Sequence, residues 1–438
     1  MTNHDFIKSL FEKSLTELAS DPARFAVVPG RDFTRNRKIN LSDTLRILLT
    51  MEGRCIKEEL YCYFGRTVDA PSKSALYKQR QKLSESAFPT LFSIFNRKLP
   101  RNLFRNKYQL IACDGSSAYI PRNPDDVDTF FEKTGKTDRG FNLIHINAAY
   151  SIMDKRFTNL VIQPGRKQNE IKAFCEIVDS NGRDESPIIY IADMGYACYN
   201  TFAHVIENNQ FFMIRCNDQR LAQMLGRPVD NIREMDISVS RILSRTQSQK
   251  KRSRPERSGD YRYISRPVTF EYLPDDESEY DISLRIVRFE IATGVFENII
   301  TNLPDDEFGI DDFKDIYHLR WDEETAFRDL KYSLCLNDFH SKKYEYIIQE
   351  IWARAILYNF SSSIITGVEI EKKDTCFEYQ ANFSAGLRIC RDFLRIRDTK
   401  KKLDVSGLIK QNIEPIRPDR SFPRRKRFGI PVCFCYRK

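Results

Sequence analysis

The pattern of hydrophobic and polar residues changes near residue 105. Residues 1–105 read as helical, with a helix predicted over 43–51 that Ser42 caps and whose leucines share one face. A second short helix is predicted over 56–64 and a third over 73–83. Short helices separated by glycine turns, the last of them basic, resemble a helix-turn-helix unit. A helical bundle with a solvated basic face explains the pattern equally well.

The third helix carries the candidate DNA contacts of this region. Lys73, Tyr77 and Arg80 fall on one of its faces. Cations on one helix face suit a surface that meets phosphates, and solvated charges give the same pattern. We therefore predict Lys73 and Arg80 as DNA-binding residues of a helical N-terminal domain.

From residue 106 onward, short apolar runs alternate with helical segments. Strands are predicted over 108–113, 145–152, 158–162, 188–192 and 210–216, and helices over 168–178 and 199–207. This alternation indicates a mixed α/β sheet. Residues 218–295 break the rhythm with a basic run and short strand-like pieces, which predicts a mostly β insertion. The rhythm resumes with a strand over 297–301, a helix from Asp311 and a long helix over 344–365.

These changes divide the chain into five predicted segments. The segments are a helical N-terminal DNA-binding domain (1–105), the first part of an α/β core (106–217), a β-rich insertion (218–295), the second part of the core (296–375) and a basic C-terminal region (376–438). Within the last, residues 417–438 hold eight Lys or Arg against one acid. We expect this tail to be loosely ordered until it meets a partner.

Composition narrows the class of protein. The 438 residues are 41% hydrophobic and 12% aromatic, which fits a globular protein too long for one simple core. A net charge of +9 is compatible with a polyanionic partner and does not prove one. The eleven cysteines include no Cys-x-x-Cys motif, and we find neither a secretory signal nor a membrane-length apolar run. We therefore expect a cytoplasmic protein with reduced thiols and no membrane partner.

The helix that begins at Asp311 is the most informative for chemistry. With Tyr317 at zero and an advance of about 100° per residue, Arg320 falls at about 300°, Glu324 at about 340° and Lys331 at about 320°. One carboxylate, two cations and a phenol thus share one edge beside an apolar flank, whereas the adjacent Glu323 points elsewhere. A carboxylate between cations on a rigid helix suits a metal ion and a phosphate backbone.

Two aspartates close apolar strands. Asp114 follows the strand over 108–113, and Asp193 follows the strand over 188–192. Ligands bind at the carboxyl ends of strands in α/β sheets, although a lone aspartate there is more often a turn former or helix cap. With Glu324 they form a set of oxygen ligands that suits Mg²⁺ or Mn²⁺. Two such ions can activate the attacking oxygen and stabilise the leaving one in phosphodiester displacement.

These motifs resemble those of a known family. Asp114-Gly-Ser, Ala-Asp193-Met-Gly-Tyr and the Tyr-x2-Arg-x3-Glu-x6-Lys spacing at 317–331 look like the three catalytic motifs of bacterial insertion-sequence transposases of the DDE type. More narrowly, they resemble the Tyr-Arg-Glu-Lys signature family, insertion sequence family four. The flanking Thr-Asn-Leu-Pro at 301–304 and Phe-His-Ser-Lys-Lys at 339–343 are also similar to many members.

The resemblance implies a fold and an activity. The fold is α/β, with a ribonuclease H-like catalytic core that the β insertion interrupts. The activity is that of a DNA transposase, which binds the terminal inverted repeats of its element, cleaves the ends by metal-dependent phosphodiester hydrolysis and joins them to target DNA by strand transfer. The residues implied to hold two Mg²⁺ ions, for which Mn²⁺ can substitute, are Asp114, Asp193 and Glu324.

The resemblance also implies partners. Tyr317, Arg320 and Lys331 would contact phosphates near the cleaved end. The DNA is double-stranded, both at the transposon ends and at the target, and the enzyme acts on it as a homodimer in a synaptic complex. We expect it in the bacterial cytoplasm, associated with the nucleoid when bound to DNA.

The tryptophans depart from the family pattern. Some relatives form a hairpin intermediate and stack a flipped base on a tryptophan of the insertion, whereas Trp321 and Trp352 both lie outside 218–295. Other aromatic residues of the insertion that could supply a stacking face are Tyr261, Tyr263, Phe270 and Tyr272. Whether a hairpin forms is therefore open.

Two alternatives to an active transposase stay open at this point. One is a domesticated or inactive transposase-derived protein that binds DNA without chemistry, which the intact carboxylates disfavour. The other is a ribonuclease H-like nuclease of another kind, such as a junction resolvase, which the long insertion and basic tail disfavour.

Overall fold

A computed structural model describes residues 2–132, 139–181, 186–229, 232–248, 252–275, 278–334, 336, 338–371, 377–396 and 403–416. The predicted basic tail, 417–438, lies outside these residues. The described part of the chain contains no helix with the length and apolar character that a membrane span requires. Its fold is mixed α/β, with helices on both faces of one large sheet.

In the described residues, five helices precede the first strand. They are α1 (Asn3–Ala19), α2 (Leu41–Thr50), α3 (Ile56–Phe64), α4 (Lys73–Arg80) and α5 (Ala87–Lys98). The predicted range of α3 is confirmed, and α3 ends where Gly65 adopts a left-handed backbone that favours glycine. α2 begins before its predicted start because Asn40, rather than Ser42, is its N-cap and forms a capping box with Asp43.

Ten strands of the described chain form one sheet. They are β1 (Gln109–Ile120), β2 (Phe130–Phe131), β3 (Phe141–Ser151), β4 (Arg156–Pro164), β5 (Ile188–Ala192), β6 (Phe211–Cys216), β7 (Met235–Ser244), β8 (Tyr261–Tyr263), β9 (Glu279–Ala292) and β10 (Val295–Thr301). Their order is β2-β3-β1-β5-β6-β10-β9-β7-β8, and β4 pairs with β3 outside this path. β1, β5 and β6 are parallel, whereas β3 and β10 pair antiparallel with β1 and β6.

Eight further α-helices follow β4 in the described residues. They are α6 (Glu170–Asn181), α7 (Tyr199–Glu207), α8 (Asp218–Leu225), α9 (Ile310–Leu319), α10 (Trp321–Arg328), α11 (Tyr344–Ile365), α12 (Phe383–Arg395) and α13 (Val405–Gln411). The predictions for β5, α7 and α11 are confirmed to the residue. A separate two-stranded sheet pairs β11 (Tyr379–Ala381) with β12 (Ile413–Pro415).

The central strand β5 is apolar throughout because it is covered on both sides. Ile188 and Tyr190 pack in the core that includes α6 and α7, whereas Ile189 and Ile191 pack in the core that includes α9. All five residues of β5 are buried. A continuous apolar run, rather than an alternating one, is the pattern of a parallel strand with helices on both faces.

The predicted insertion extends the main sheet. Within 218–295, β9 pairs antiparallel with β10, and β7 pairs with β9 and β8, so these strands continue outward from β6. The segment also contains α8 and a 3₁₀-helix at Pro255–Asp260. The insertion strands are therefore tied by backbone hydrogen bonds to the strands that position the candidate site.

The N-terminal helices share a core with the end of the chain. Phe11 of α1 contacts Phe95 of α5 and Phe360 of α11, with ring centroids 5.6 and 5.8 Å apart. The same hydrophobic cluster includes residues of α2, α10 and α12. Side chains from both sides of residue 105 therefore fill one core. The domain boundary predicted at this residue stays a prediction.

The structure corrects the predicted role of Arg80. Its side chain is 1% exposed, and its Nη1 donates to Glu350 Oε1 of α11 at 2.9 Å. Its Nε donates to Gln349 Oε1, also at 2.9 Å. The apolar flanks of α4 and α11 bring these groups together away from solvent, so the prediction that Arg80 contacts DNA is wrong in this fold. Lys73, at the start of the same helix, is exposed.

We expect Arg80→Ala to destabilise the protein by about 3–5 kcal/mol, because it removes the closest cation from the buried Glu350 carboxylate. Lys73→Ala is the matched control on the same helix, and its solvated charge should change the free energy of unfolding by less than about 0.5 kcal/mol. Denaturant unfolding measures both variants. Equal stability of Arg80→Ala and the wild type would contradict a structural role for this ion pair.

Candidate active site

The two aspartates lie side by side where two neighbouring parallel strands stop pairing. Pairing of β1 with β5 ends at Cys113 and Ala192, so Asp114 on β1 and Asp193 directly after β5 are the next residues. Adjacent strands lie about 4.8 Å apart, which places the two residues next to each other at the carboxyl end of β5. Asp193 caps the 3₁₀-helix Met194–Tyr196, and its Oδ1 accepts from Met194 N at 2.6 Å.

The sequence pattern suggested that β1 ends at Asp114, but the strand is longer in the structure. It continues to Ile120 through antiparallel pairing with β3, in which Asp114 lies opposite Ala148. The apolar run stops at Cys113 because the strand loses its parallel neighbour and its cover there, not because the strand ends. Asp114 is therefore held on a strand rather than on a turn.

The helix predicted from Asp311 is divided into three pieces. α9 ends at Leu319, Arg320 is a turn residue, α10 follows, and a π-helix spans Asp329–Ser333. A π-turn inserts an extra residue into the helix, so an advance of 100° per residue no longer applies at Lys331. Within α10 the four-residue spacing is kept, and Arg320 Nη2 donates to Glu324 Oε1 at 3.2 Å.

Arg320 lies among the three predicted catalytic carboxylates. It is 4% exposed, and its Nη1 is 4.0 Å from Asp114 Oδ2. Burial works to lower the pKa of its guanidinium, yet the net shift is upward because Tyr317 and nearby carboxylates favour the cation. The carboxylates that act on Arg320 are Asp193, Glu324 and Asp114. The structure thus places Asp114 and Glu324 within 4.0 Å of one buried cation, with Asp193 near enough to act on its charge.

Tyr317 lies in the core beside this cluster. Its ring centroid is 5.6 Å from the Arg320 Cζ, and its hydroxyl has no hydrogen-bond partner within the described residues. Burial, with a contribution from Asp193, raises the pKa of Tyr317 to about 12. The hydroxyl is therefore a buried, neutral donor next to the acids.

Lys331 reaches the strand that carries Asp114. Its Nζ donates to Ser116 Oγ at 2.6 Å and to the Ser117 carbonyl at 2.9 Å. Burial lowers the pKa of Lys331, and Asp114 opposes this effect. The π-helix thus delivers this cation to the part of β1 just beyond Asp114.

The helix geometry predicted that Glu323 points away from the site, but in the structure it points towards Asp114. Its side chain is fully buried, and its Oε1 accepts from Asp114 N at 3.1 Å. Burial, with a contribution from Asp114, raises the pKa of Glu323 well above its usual range. Because β5 pairing has ended at Cys113, Glu323 supplies the acceptor that the Asp114 N–H would otherwise lack.

Two further polar residues that the sequence did not single out lie beside Asp114. Glu170 begins α6, and its Oε1 is 3.0 Å from Nε2 of the buried His145. A Cβ atom at Gly115 would lie 2.8 Å from Glu170 Oε1, so the glycine makes room for this carboxylate next to Asp114. A lone glutamate at a helix start and a lone histidine on a strand carry no sequence signal of such a pairing.

The charge balance of the cluster fits a divalent cation. Burial raises the pKa of Asp114, and the carboxylates of Glu324 and Glu170 raise it further. All the charged acceptors are carboxylate oxygens, which Mg²⁺ and Mn²⁺ prefer. In the described residues, no three His, Cys, Asp or Glu side chains are already arranged as a metal-binding group, and Arg320 lies among the acids instead.

The aromatic residues of the insertion differ in exposure. Tyr261 and Phe270 are buried, and Tyr272 packs edge-on against His204 with ring centroids 5.2 Å apart. Tyr263 is exposed and lines a cavity of about 270 Å³. Arg220, which donates to the Met194 carbonyl, lines the same cavity, so Tyr263 is the member of the four that faces open space near Asp193.

We expect Glu323→Ala to be less stable than Glu323→Gln by about 1–3 kcal/mol, because only glutamine keeps an oxygen acceptor for the Asp114 N–H. Denaturant unfolding in metal-free buffer measures the difference. Thr325→Ala, at an exposed position of α10, is the control and should change little. If alanine and glutamine at 323 were equally stable, the contact with Asp114 would not be stabilising.

Comparison with known proteins identifies the family of this chain. A transposase DDE domain matches residues 105–360, more than half of the 438-residue chain. A search of curated proteins returns no match. Among solved structures, the chain is similar to a cryo-EM structure of a piggyBac transposase synaptic complex with hairpin DNA, at 10% identity and a TM-score of 0.43, covering 93% of this chain and 85% of that one. That similarity is too weak to carry an argument. On the domain match, the chain belongs to the transposase DDE domain family and is a DDE-type transposase enzyme.

Proposed function

We propose that this enzyme cleaves the terminal inverted repeats of its own element and joins the freed ends to target DNA. The observation that carries the proposal is the gathering of Asp114, Asp193 and Glu324 around Arg320 at the carboxyl end of β5. Family membership supplies the reaction class, DNA transposition. The narrower assignment, to the Tyr-Arg-Glu-Lys signature family with a ribonuclease H-like core, rests on the motif spacing.

Asp114, Asp193 and Glu324 are the residues that would hold the divalent ions. DDE transposase domains generally use such ions, and we propose two Mg²⁺, for which Mn²⁺ can substitute. When bound, the ions activate the attacking oxygen and stabilise the leaving oxygen of the phosphodiester. The acids come from a strand, a strand end and a helix, so the sheet and α10 fix their separation before DNA arrives.

The cations and the phenol of the motif bind and orient the DNA backbone. Arg320 is a planar donor already inside the acidic cluster, which suits it to bridge a phosphate and the carboxylates. Lys331 donates a hydrogen bond to Ser116 and so places a second positive charge near Asp114. Tyr317 is neutral at physiological pH and its buried ring packs beside Arg320, so we propose that it positions this cation for the phosphate.

End recognition needs a surface outside the active site. Lys73 is exposed at the start of α4, and Arg31, Arg35, Arg37 and Lys82 line a nearby basic cavity of about 440 Å³. Such a surface suits the phosphates of double-stranded DNA. Because a transposon has two ends, we propose a homodimer with one active site for each end, acting on DNA in the bacterial cytoplasm and associated with the nucleoid.

The cleavage pathway is a separate part of the proposal. If a hairpin forms, Tyr263 is the aromatic residue that we propose to stack a flipped base, because it is exposed beside the cavity next to the Asp193 loop. Tyr261 and Phe270 are already buried in the protein core.

We expect Asp114→Asn, Asp193→Asn and Glu324→Gln each to reduce cleavage of an end-labelled inverted-repeat duplex by at least about a thousandfold, because each loses a charge that the ions require. DNA binding by gel shift should be largely retained. The matched control is Asp322→Asn, an acid on α10 outside the three. Cleavage at near wild-type rate by any of the three variants would contradict the assignment, and the same assay with target DNA tests joining.

We expect Lys73→Ala to weaken binding of the inverted repeat and to reduce the slope of log affinity against log salt by about one unit, as loss of one phosphate contact does. Lys13→Ala, an exposed cation on α1, is the control. Fluorescence anisotropy across a salt series gives both slopes. An unchanged slope for Lys73→Ala would remove Lys73 from the DNA surface.

A further inference from the structure

We propose that Glu170, oriented by His145, is a fourth carboxylate of the divalent-cation site formed by Asp114, Asp193 and Glu324. The inference rests on the proposed function, because it adds a residue to the same site. It names a ligand that the three sequence motifs do not contain, on a helix that the motifs do not include.

The position of Glu170 is the first support. It is the first residue of α6, and its two oxygens face Gly115 of β1 and Gly195, which follows β5. A Cβ atom at Gly115 would lie 2.8 Å from Oε1, and one at Gly195 would lie 3.9 Å from Oε2. Gly115 directly follows Asp114, and Gly195 lies two residues after Asp193. One carboxylate therefore lies between the two chain segments that carry the aspartates.

The second support is the buried histidine behind it. His145 lies on β3 opposite Ser117 of β1, and its Nδ1 is 3.1 Å from Ser117 Oγ. Its Nε2 is 3.0 Å from Glu170 Oε1 and would collide with any side chain at Gly115. The ring thus lies between Ser117 Oγ and the Glu170 carboxylate. Carboxylates that bind metal ions are in turn oriented by polar partners behind them.

The third support is accessibility combined with charge. Although His145 is buried, the Glu170 side chain is 44% exposed, so an ion can reach its oxygens from solvent. The carboxylate of Glu170 lies beside Gly115, the residue that follows Asp114, so the negative charges of Glu170 and Asp114 adjoin the same space. Two carboxylates that repel each other across a solvent-accessible gap are stabilised by a cation between them.

Metal binding by the full-length protein tests this role without DNA or turnover. The protein is stripped of metal with a chelator and titrated with Mn²⁺, and free Mn²⁺ is followed by electron paramagnetic resonance. We expect Glu170→Gln to weaken Mn²⁺ binding by about tenfold. Glu176→Gln is the matched control on the same helix, where Glu176 lies near exposed Lys172, and it should bind as the wild type does. Thermal unfolding without metal checks that each variant is folded.

Reference variants separate this inference from the proposed function. If Asp114→Asn weakens Mn²⁺ binding and Glu170→Gln does not, Glu170 is outside the site and the proposed function stands. If neither variant changes Mn²⁺ binding, the metal site itself is contradicted. Should Glu170→Gln fail to fold, Glu170→Asp keeps the charge but withdraws the oxygens from Asp114 and Asp193. Weaker Mn²⁺ binding by folded Glu170→Asp supports the inference, and unchanged binding overturns it.

Discussion

Like charges at close range are the constraint on which the rest of this structure depends. Asp114, Asp193 and Glu324 repel one another, and Arg320 is the cation among them. A buried arginine is costly unless it is paired, and paired here it offsets part of the repulsion between the acids. The sheet, α9 and α10 must therefore pack tightly enough to bury the guanidinium of Arg320, while the carboxylates stay partly exposed to solvent. The turn at Arg320 between α9 and α10 lets one helix pack its flank while the next presents Glu324.

The site is rigid because backbone hydrogen bonding continues on either side of it. Asp114 loses its parallel neighbour yet stays paired with β3, and Glu323 takes the place of the missing strand partner. Hydrogen bonds from Lys331 to Ser116 and Ser117 connect the π-helix to β1 just beyond Asp114. A strand held in this way cannot shift without disturbing a buried carboxylate and a half-buried ammonium. This arrangement preorganises the ligands, and electrostatic catalysis depends on preorganised ligands.

The sequence predicted the elements with strong local signals and missed what depends on tertiary packing. α3, β5, α7 and α11 were predicted to the residue, since continuous apolar runs and glycine or polar boundaries set their ends. The convergence of Arg320 with Glu324 follows from helical spacing alone. Arg80 could not be predicted correctly, because its partner Glu350 lies 270 residues away in the chain. The inward direction of Glu323 and the pairing of Glu170 likewise depend on which strand ends beside them.

The buried pair of Arg80 and Glu350 connects α4, which carries the proposed DNA contact Lys73, to the core beneath the active site. Lys73 and Arg80 belong to one short helix, and Arg80 joins that helix to Glu350 of α11, inside the core that α10 also enters. Breaking such a pair costs several kcal/mol, so α4 does not move freely relative to the core. On the proposed function, a phosphate bound at Lys73 would be held by a helix that packs in the same core as the helix of Glu324. Recognition of the DNA end and placement of the scissile phosphate would then be set by one folded unit and not by a flexible linker between two.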